Sequence, residues 1–273
     1  MARSQLFRAC SAVRRACWQW EQRVDLSSLA FSDARPATFV FLGPPGVGKG
    51  TYSGRVSDYF GLAHIASGDL VRDEMRKGTE IGKEMEECVK RGDLLPDALI
   101  LRVIREHFMT AHSEGTDRFL LDGFPRTVEQ AEALEQIADV QLAVNLALRE
   151  EVLVEKCLGR RLCKKCGKNY NIANIYLPAS NGRPEIVMPP LSPPAECVEH
   201  MEQRSDDTEP VIRRRLEVYA REAQPVERFY AERGKLLDFE IFGGIPQTLP
   251  RLLEVLKPKM EMPQPISRHS SAA

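Results

Sequence analysis

Lys49 stands inside a run of small residues, Gly43-Pro44-Pro45-Gly46-Val47-Gly48-Lys49-Gly50-Thr51, that directly follows the apolar segment Thr38-Phe39-Val40-Phe41-Leu42. Glycines at this spacing let consecutive backbone N–H groups turn inward around an anion. A helix starting there points its positive end at the same place. The lysine of such a loop reaches outer phosphates, and a hydroxyl just beyond it ligates Mg2+. Here Gly50 follows the lysine, and the hydroxyl comes one residue later, at Thr51. A mere glycine-rich turn would not need the buried strand before it or the lysine within it.

Further candidates lie downstream. Phe119-Leu120-Leu121-Asp122 reads as a buried strand ending in a carboxylate, a place where phosphate-loop proteins commonly hold Mg2+. Gly123-Phe124-Pro125-Arg126 then makes a sharp exit and aims an arginine over the sheet's C-terminal edge, where ligands of such sheets bind. Ala66-Ser67-Gly68-Asp69-Leu70-Val71-Arg72 starts a helix at Ser67 with an arginine one turn in, a second anion-friendly helix start.

The elements that must position these residues alternate along the chain. Apolar runs at 39–42, 63–66, 119–121, 142–148 and 239–242 have strand length. Between them, 49–60, 97–111, 127–137, 149–158 and 209–220 read as amphipathic helices, the last with Ile212, Leu216 and Tyr219 on one face. This alternation predicts an α/β fold of the P-loop NTPase kind, a parallel sheet flanked by helices. Two segments break the rhythm. Residues 67–95 are helical and charged without a strand, and 160–207 are rich in prolines, with arginines at both ends and a Cys pair. A long irregular insert in a compact domain is usually functional or disordered, and the flanking arginines favour function.

The 273 residues, 43% hydrophobic, suffice for one large domain with inserts. A formal net charge of −1 gives no basic surface for nucleic acid, and no apolar stretch is long enough to span a bilayer. The start differs from the rest. Arg3, Arg8, Arg14 and Arg15 precede the first acid, Glu21, among small and apolar residues. That composition reads as a transit peptide over 1–35, expected to lead to the mitochondrial matrix, with the chloroplast stroma as the alternative. Residues 259–273 read as a disordered tail. Seven cysteines, an odd number without a framework spacing, fit a reducing compartment.

Taken together, residues 43–51, 67–72 and 122–126, with Asp93-Leu94-Leu95-Pro96-Asp97, Gln130 and Arg204-Ser205-Asp206-Asp207, resemble the adenylate kinase family. The resemblance runs from about residue 38 to 258 and implies a domain over 36–258. Residues 67–95 would be its monophosphate-binding insert and 160–207 its mobile lid. It implies reversible transfer of the terminal phosphate of Mg·ATP to AMP, giving two ADP, by a monomer. Lys49 and the loop residues Gly46, Val47, Gly48, Gly50 and Thr51 would hold the donor phosphates, and Thr51 with Asp122 the Mg2+, partly through water. Arg72 and Arg126 match the arginines on the AMP phosphate. Ser67, Asp93, Leu94, Leu95, Gly123, Phe124, Pro125 and Gln130 fall on the acceptor side, Gln130 with an amide able to read adenine. Arg160, Arg204 and Arg215 match the arginines that close over the transferring group. Asn169, Tyr170 and the backbone of Gly244 and Ile245 match donor contacts. AMP brings its own nucleophile, so the protein's task is to join two polyanions, neutralise spreading charge and exclude water. Arginine forks suit that task better than mobile ammonium groups.

Two positions depart from the family pattern. Lys156 stands where relatives have an arginine stacking on the donor adenine, which opens the question of the donor base. In the lid, Cys163-Lys164-Lys165-Cys166 is half of a zinc knuckle, but Cys197 and His200 follow only after a long proline-rich gap. A lid held by packing without zinc is the expectation. Arg213 and Arg214 read as a solvated helix face, and Asp206 and Asp207 as caps of the next helix. The competing functions are a GTP:AMP or UMP/CMP phosphotransferase of the same family and, from another class, a non-catalytic ATP-binding switch. A switch has no use for a second anion pocket.

Overall fold

The computed structural model describes residues 35–78, 80–95 and 97–260. The presumed transit peptide, apart from Arg35, lies outside them, as does the tail beyond Met260. The elements run β1 (Ala37–Leu42), α1 (Lys49–Phe60), β2 (Ala63–Ala66), α2 (Ser67–Arg76), α3 (Glu80–Arg91), α4 (Asp97–Ser113), β3 (Arg118–Asp122), α5 (Val128–Ile137), β4 (Asp139–Ala147) and α6 (Glu150–Leu158). They continue with β5 (Arg160–Cys163), β6 (Asn169–Asn171), β7 (Ile175–Leu177), β8 (Ile186–Met188), a 3-10 turn (Ala195–His200), β9 (Met201–Glu202), α7 (Glu209–Glu232), β10 (Leu236–Glu240) and α8 (Ile245–Met260).

The five strands expected from the apolar runs form one parallel sheet in the order β10-β4-β1-β3-β2. Strand alternation feeds two cores. Phe39, Phe41, Leu120, Val144 and Leu146 face α1, α6 and α8, whereas Val40, Leu42, Phe119 and Leu121 face α4, α5 and α7. A register shift between β1 and β4 beside Thr38 and Phe39 lets Val140 and Leu142, two apart, serve opposite faces. Each such side chain, fully buried, contributes about 1.5–3 kcal/mol. Parallel pairing of every strand places all strand C-termini, and the loops after β1, β2 and β3, along one edge of the sheet.

Beyond shifts of up to three residues at other element ends, three boundaries differ from expectation. Helix α7 does not stop at 220. Ala223, Val226, Phe229 and Tyr230 continue its buried face past the internal Pro225 to Glu232. Helix α8 gave no clear signal, because Pro250 and Pro258 lie inside it, yet Leu252, Leu256 and Met260 are buried in the first core. Packing overrides the propensity penalty of proline there. The helix also carries Lys259 and Met260, the first two residues of the expected tail over 259–273.

Residues 160–207, the expected lid, are built from two parts. Strands β6-β5-β9 form a small sheet of their own. Strands β7 and β8 form a hairpin whose turn residues Asn181 and Gly182 both have positive φ, the geometry of a tight two-residue turn. Ile175, Ile186 and Met188 of that hairpin join the first core of the main domain. The buried guanidinium of Arg149 holds the hairpin from below, donating to Pro184 O at 2.9 Å and to Leu177 O, Pro178 O and Ser180 Oγ at 3.4 Å.

Candidate active site

The sequence candidates converge on one cavity of about 750 Å3 along the C-terminal edge of the sheet. Loop residues Gly46, Gly48, Lys49, Gly50 and Thr51 line it together with Ser67, Arg72, Asp93, Leu94, Leu95, Asp122, Gly123, Phe124, Pro125, Arg126 and Gln130. Arg160, Asn169, Tyr170 and Arg204 of the 160–207 segment, Arg215 of α7, and Gly244 and Ile245 at the start of α8 complete it. Val47 is the exception. Its side chain is fully buried in the first core, leaving its backbone as its contribution to the loop.

The loop is set by close approach. Gly43 has φ +135, and a side chain there would meet Leu146 O at 2.4 Å; at Gly46, with φ +86, it would meet Leu153 O at 2.7 Å. Only glycine fits either position. The Lys49 ammonium folds over its own loop, donating to Gly43 O at 2.6 Å and Pro44 O at 3.0 Å. Burial lowers its pKa to about 8, against the pull of Asp122. Burial also pushes the Asp122 carboxyl up, opposed by Lys49, His64 and Arg126. Thr51 and Asp122 both line the cavity, and their hard oxygens suit Mg2+.

The cavity wall around Arg126 is tied together by short hydrogen bonds. Ser67 Oγ donates to Gly123 O at 2.9 Å, and Arg126 Nε donates to the same oxygen at 2.6 Å. Arg72 is paired with Asp69 on its own helix. Gln130 is not a surface residue. It is buried, its Oε1 accepts from Arg126 N–H at 2.7 Å, and its Nε2 donates to Asp97 Oδ1 at 2.6 Å. The amide thus holds the Arg126 turn as well as facing the cavity. Thr127 starts the helix by accepting from Gln130 N.

Asp206 and Asp207 are not helix caps. Thr208 occupies the cap position without a side-chain bond, and the two acids bind arginines instead. Asp207, fully buried, accepts from Arg160 through both carboxylate oxygens, with Nε at 2.8 Å. Asp206 accepts from Arg215 Nη1 at 2.7 Å. Arg204 donates to Asn169 Oδ1 at 2.8 Å, while its buried Nε–H finds no partner among the described residues. Crowding of cations shows in their acidity. Burial, then Arg215, lowers Arg126 to about 10, and burial, then Arg160 and Arg72, lowers Arg204 to about 9. Such a cluster, with an orphaned donor aimed among like charges, suits a polyanion.

Three further residues escaped the sequence reading or change its weight. Arg214 is more than a solvated group: it reaches Asp93 at 3.1 Å and so ties α7 to the loop that follows α3. Arg149 was silent, since a buried arginine has no local pattern, although Asn181-Gly182 marked the hairpin it holds. Lys156 is half-buried, desolvation lowers its pKa to about 8, and its ammonium meets Met188 Sδ at 3.7 Å. Within residues 160–207, Cys163, Cys166 and Cys197 bring their sulfurs within 4.8 Å of one another, and His200 is not among them.

A doubly covered parallel sheet with a phosphate loop and two cationic ends defines a P-loop phosphotransferase. The adenylate kinase family model matches residues 41–235. The chain is similar to a probable chloroplastic adenylate kinase 1 of Oryza sativa subsp. japonica, 49% identical over 225 residues, covering 82% of this chain and 77% of that protein. It is also similar to the chloroplastic adenylate kinase 1 of Arabidopsis thaliana, at 48% over 223 residues (82% and 78%). A GTP:AMP phosphotransferase of Plasmodium falciparum matches at 35% over 212 residues (76% and 90%). The chain belongs to the adenylate kinase family, and adenylate kinase activity is its function.

Proposed function

We propose that Mg·ATP is the donor and AMP the acceptor, giving two ADP. The observation that carries this is one cavity with a phosphate loop at one end and the Ser67–Gly123–Arg126–Gln130 hydrogen-bond cluster at the other. Lys49 and the loop N–H groups bind the donor phosphates. Arg72 and Arg126 bind the AMP phosphate, whose oxygen attacks. Arg160, Arg204 and Arg215 neutralise the charge of the transferring group. Thr51 and Asp122 would hold Mg2+, which supplies charge neutralisation across the donor phosphates when bound. Residues 36–258 act as the kinase domain, 67–95 as the monophosphate-binding insert and 160–207 as the lid, in a monomer. The lid is read as one without zinc, since His200, the fourth ligand of the alternative set, lies outside the group formed by Cys163, Cys166 and Cys197.

For the compartment, the relatives give no support to mitochondria. We propose the chloroplast stroma instead, on the printed names of the rice and Arabidopsis proteins. Among the described residues no helix is long and apolar enough to cross a membrane. The GTP-using relative keeps the donor base open to test. A panel of donor triphosphates against AMP, UMP and CMP, read as diphosphate formed, tests the assignment. ATP with AMP is expected to give the highest kcat/KM, and a preference for GTP or UMP would overturn it.

A further inference from the structure

Cys166 is exposed at the tip of the β5–β6 turn, and its sulfur lies 3.6 Å from that of the buried Cys197. The third thiol, Cys163, is buried beside them. On the other side, Tyr170 Oη lies 3.7 Å from Cys166 Sγ, and Tyr170 lines the nucleotide cavity. Its neighbour Asn169 accepts from Arg204. The thiols therefore sit one layer behind the donor side of the site. An accessible thiol backed by a buried one in contact is the arrangement of an attacking and a resolving cysteine.

We propose that Cys166 and Cys197 form a reversible dithiol–disulfide site that couples the lid to the thiol redox state. The co-reactant is a small-molecule disulfide. The Cys166 thiolate attacks one of its sulfurs, the S–S bond breaks, and one thiolate leaves. Cys197 then passes its proton to the departing group and attacks Cys166 Sγ, expelling the second thiol. Two protein thiols are oxidised and one disulfide is reduced to two thiols. The acidity of the groups agrees with these roles. A hydrogen bond from the Lys168 backbone, aided by Tyr170, lowers Cys166 to about 7, whereas burial and the neighbouring thiols raise Cys197 to about 11. Side-chain rotation suffices to join sulfurs already in contact. It also draws Cys166 away from Tyr170, and the new bond closes the loop that contains the β7–β8 hairpin.

The test uses the full reduced chain incubated with oxidised glutathione. Intact mass is expected to fall by about 2 Da, with peptide mapping to Cys166–Cys197 and reversal by dithiothreitol. The oxidised chain should melt at a higher temperature, and its apparent KM for ATP should rise several-fold. Cys163→Ser should still cross-link. Cys197→Ser should stall as a glutathionyl adduct, and Cys166→Ser, at an exposed position, should give neither product. A lasting adduct on the native chain, a bond to Cys163, or one bound metal ion per chain that shields the thiols would overturn the site. An unchanged KM in the cross-linked chain would overturn the coupling to Tyr170. The KM arm rests on the donor-side reading of Tyr170, but the thiol chemistry does not, so the two fail separately.

Discussion

The carboxylate of Asp207, with no exposed surface, grips the guanidinium of Arg160 through two hydrogen bonds and fixes its plane where the lid sheet meets the cavity. An arginine so held is oriented before substrate arrives, which reduces reorganisation during transfer. Asp207→Ala should cost about 3 kcal/mol of stability, the low end for breaking a buried pair, because Arg160 opens onto the cavity. It should also lower turnover more than it raises either KM. Urea unfolding and steady-state kinetics check both, and a turnover loss without destabilisation would mean Asp207 acts on substrate directly.

Lys49→Met should reduce kcat by on the order of 10³-fold, since it removes charge aimed at the transferring phosphate. Stability should hold or rise, because the ammonium is desolvated in the free chain. Circular dichroism and melting, measured beside activity, separate the two effects.

The donor's pH dependence follows from two half-buried, desolvated lysines. Lys49 and Lys156 both fall from 10.5 to about 8 through burial. Each carries its charge below that value and loses it above. Donor phosphates need the charge, so kcat/KM for ATP should decline as pH rises through about 8. At saturating ATP the bound phosphate favours the ammonium form, and kcat should hold to higher pH. Lys156→Arg keeps one charge at every pH and should make the decline shallower. A flat kcat/KM to pH 9 would remove phosphate binding as the role of these charges.

Much of this site was legible because it is local. The phosphate loop, the Asp122–Arg126 exit and the helix start at Ser67 each lie within one short run, and a parallel sheet brings such runs to one edge. The pairings were not legible. Asp207 with Arg160 spans 47 positions and Arg214 with Asp93 spans 121, and in sequence the acids looked like helix caps. Helix α8 stayed hidden behind Pro250 and Pro258, and α7 beyond residue 220 behind Pro225, since only packing against the sheet decides them.

Gln130→Ala should raise the KM for AMP and weaken the preference for AMP over other monophosphates. The structure adds a second consequence. The amide accepts from Arg126 N–H and donates to Asp97, so its loss should also loosen the Arg126 turn and lower the affinity for AMP phosphate. Inhibition by a ribose 5-phosphate, which carries no base, separates the two. Weaker inhibition in the variant supports the turn-holding role, and unchanged inhibition limits Gln130 to the base.

The β7–β8 hairpin, anchored in the first core, should stay with the main domain when the lid sheet moves. Arg149 supplies the anchor by satisfying Leu177 O, Pro178 O and Pro184 O at once. Arg149→Ala leaves three carbonyls without that donor and opens a hole under the hairpin, a loss of about 2–3 kcal/mol. Arg149→Lys should rescue little, because one ammonium cannot span acceptors set around a planar fork. Limited proteolysis of both variants should show new cleavage between residues 178 and 185, while the unsubstituted chain resists there. Resistance in Arg149→Ala would show that Ile175, Ile186 and Met188 hold the hairpin by packing alone.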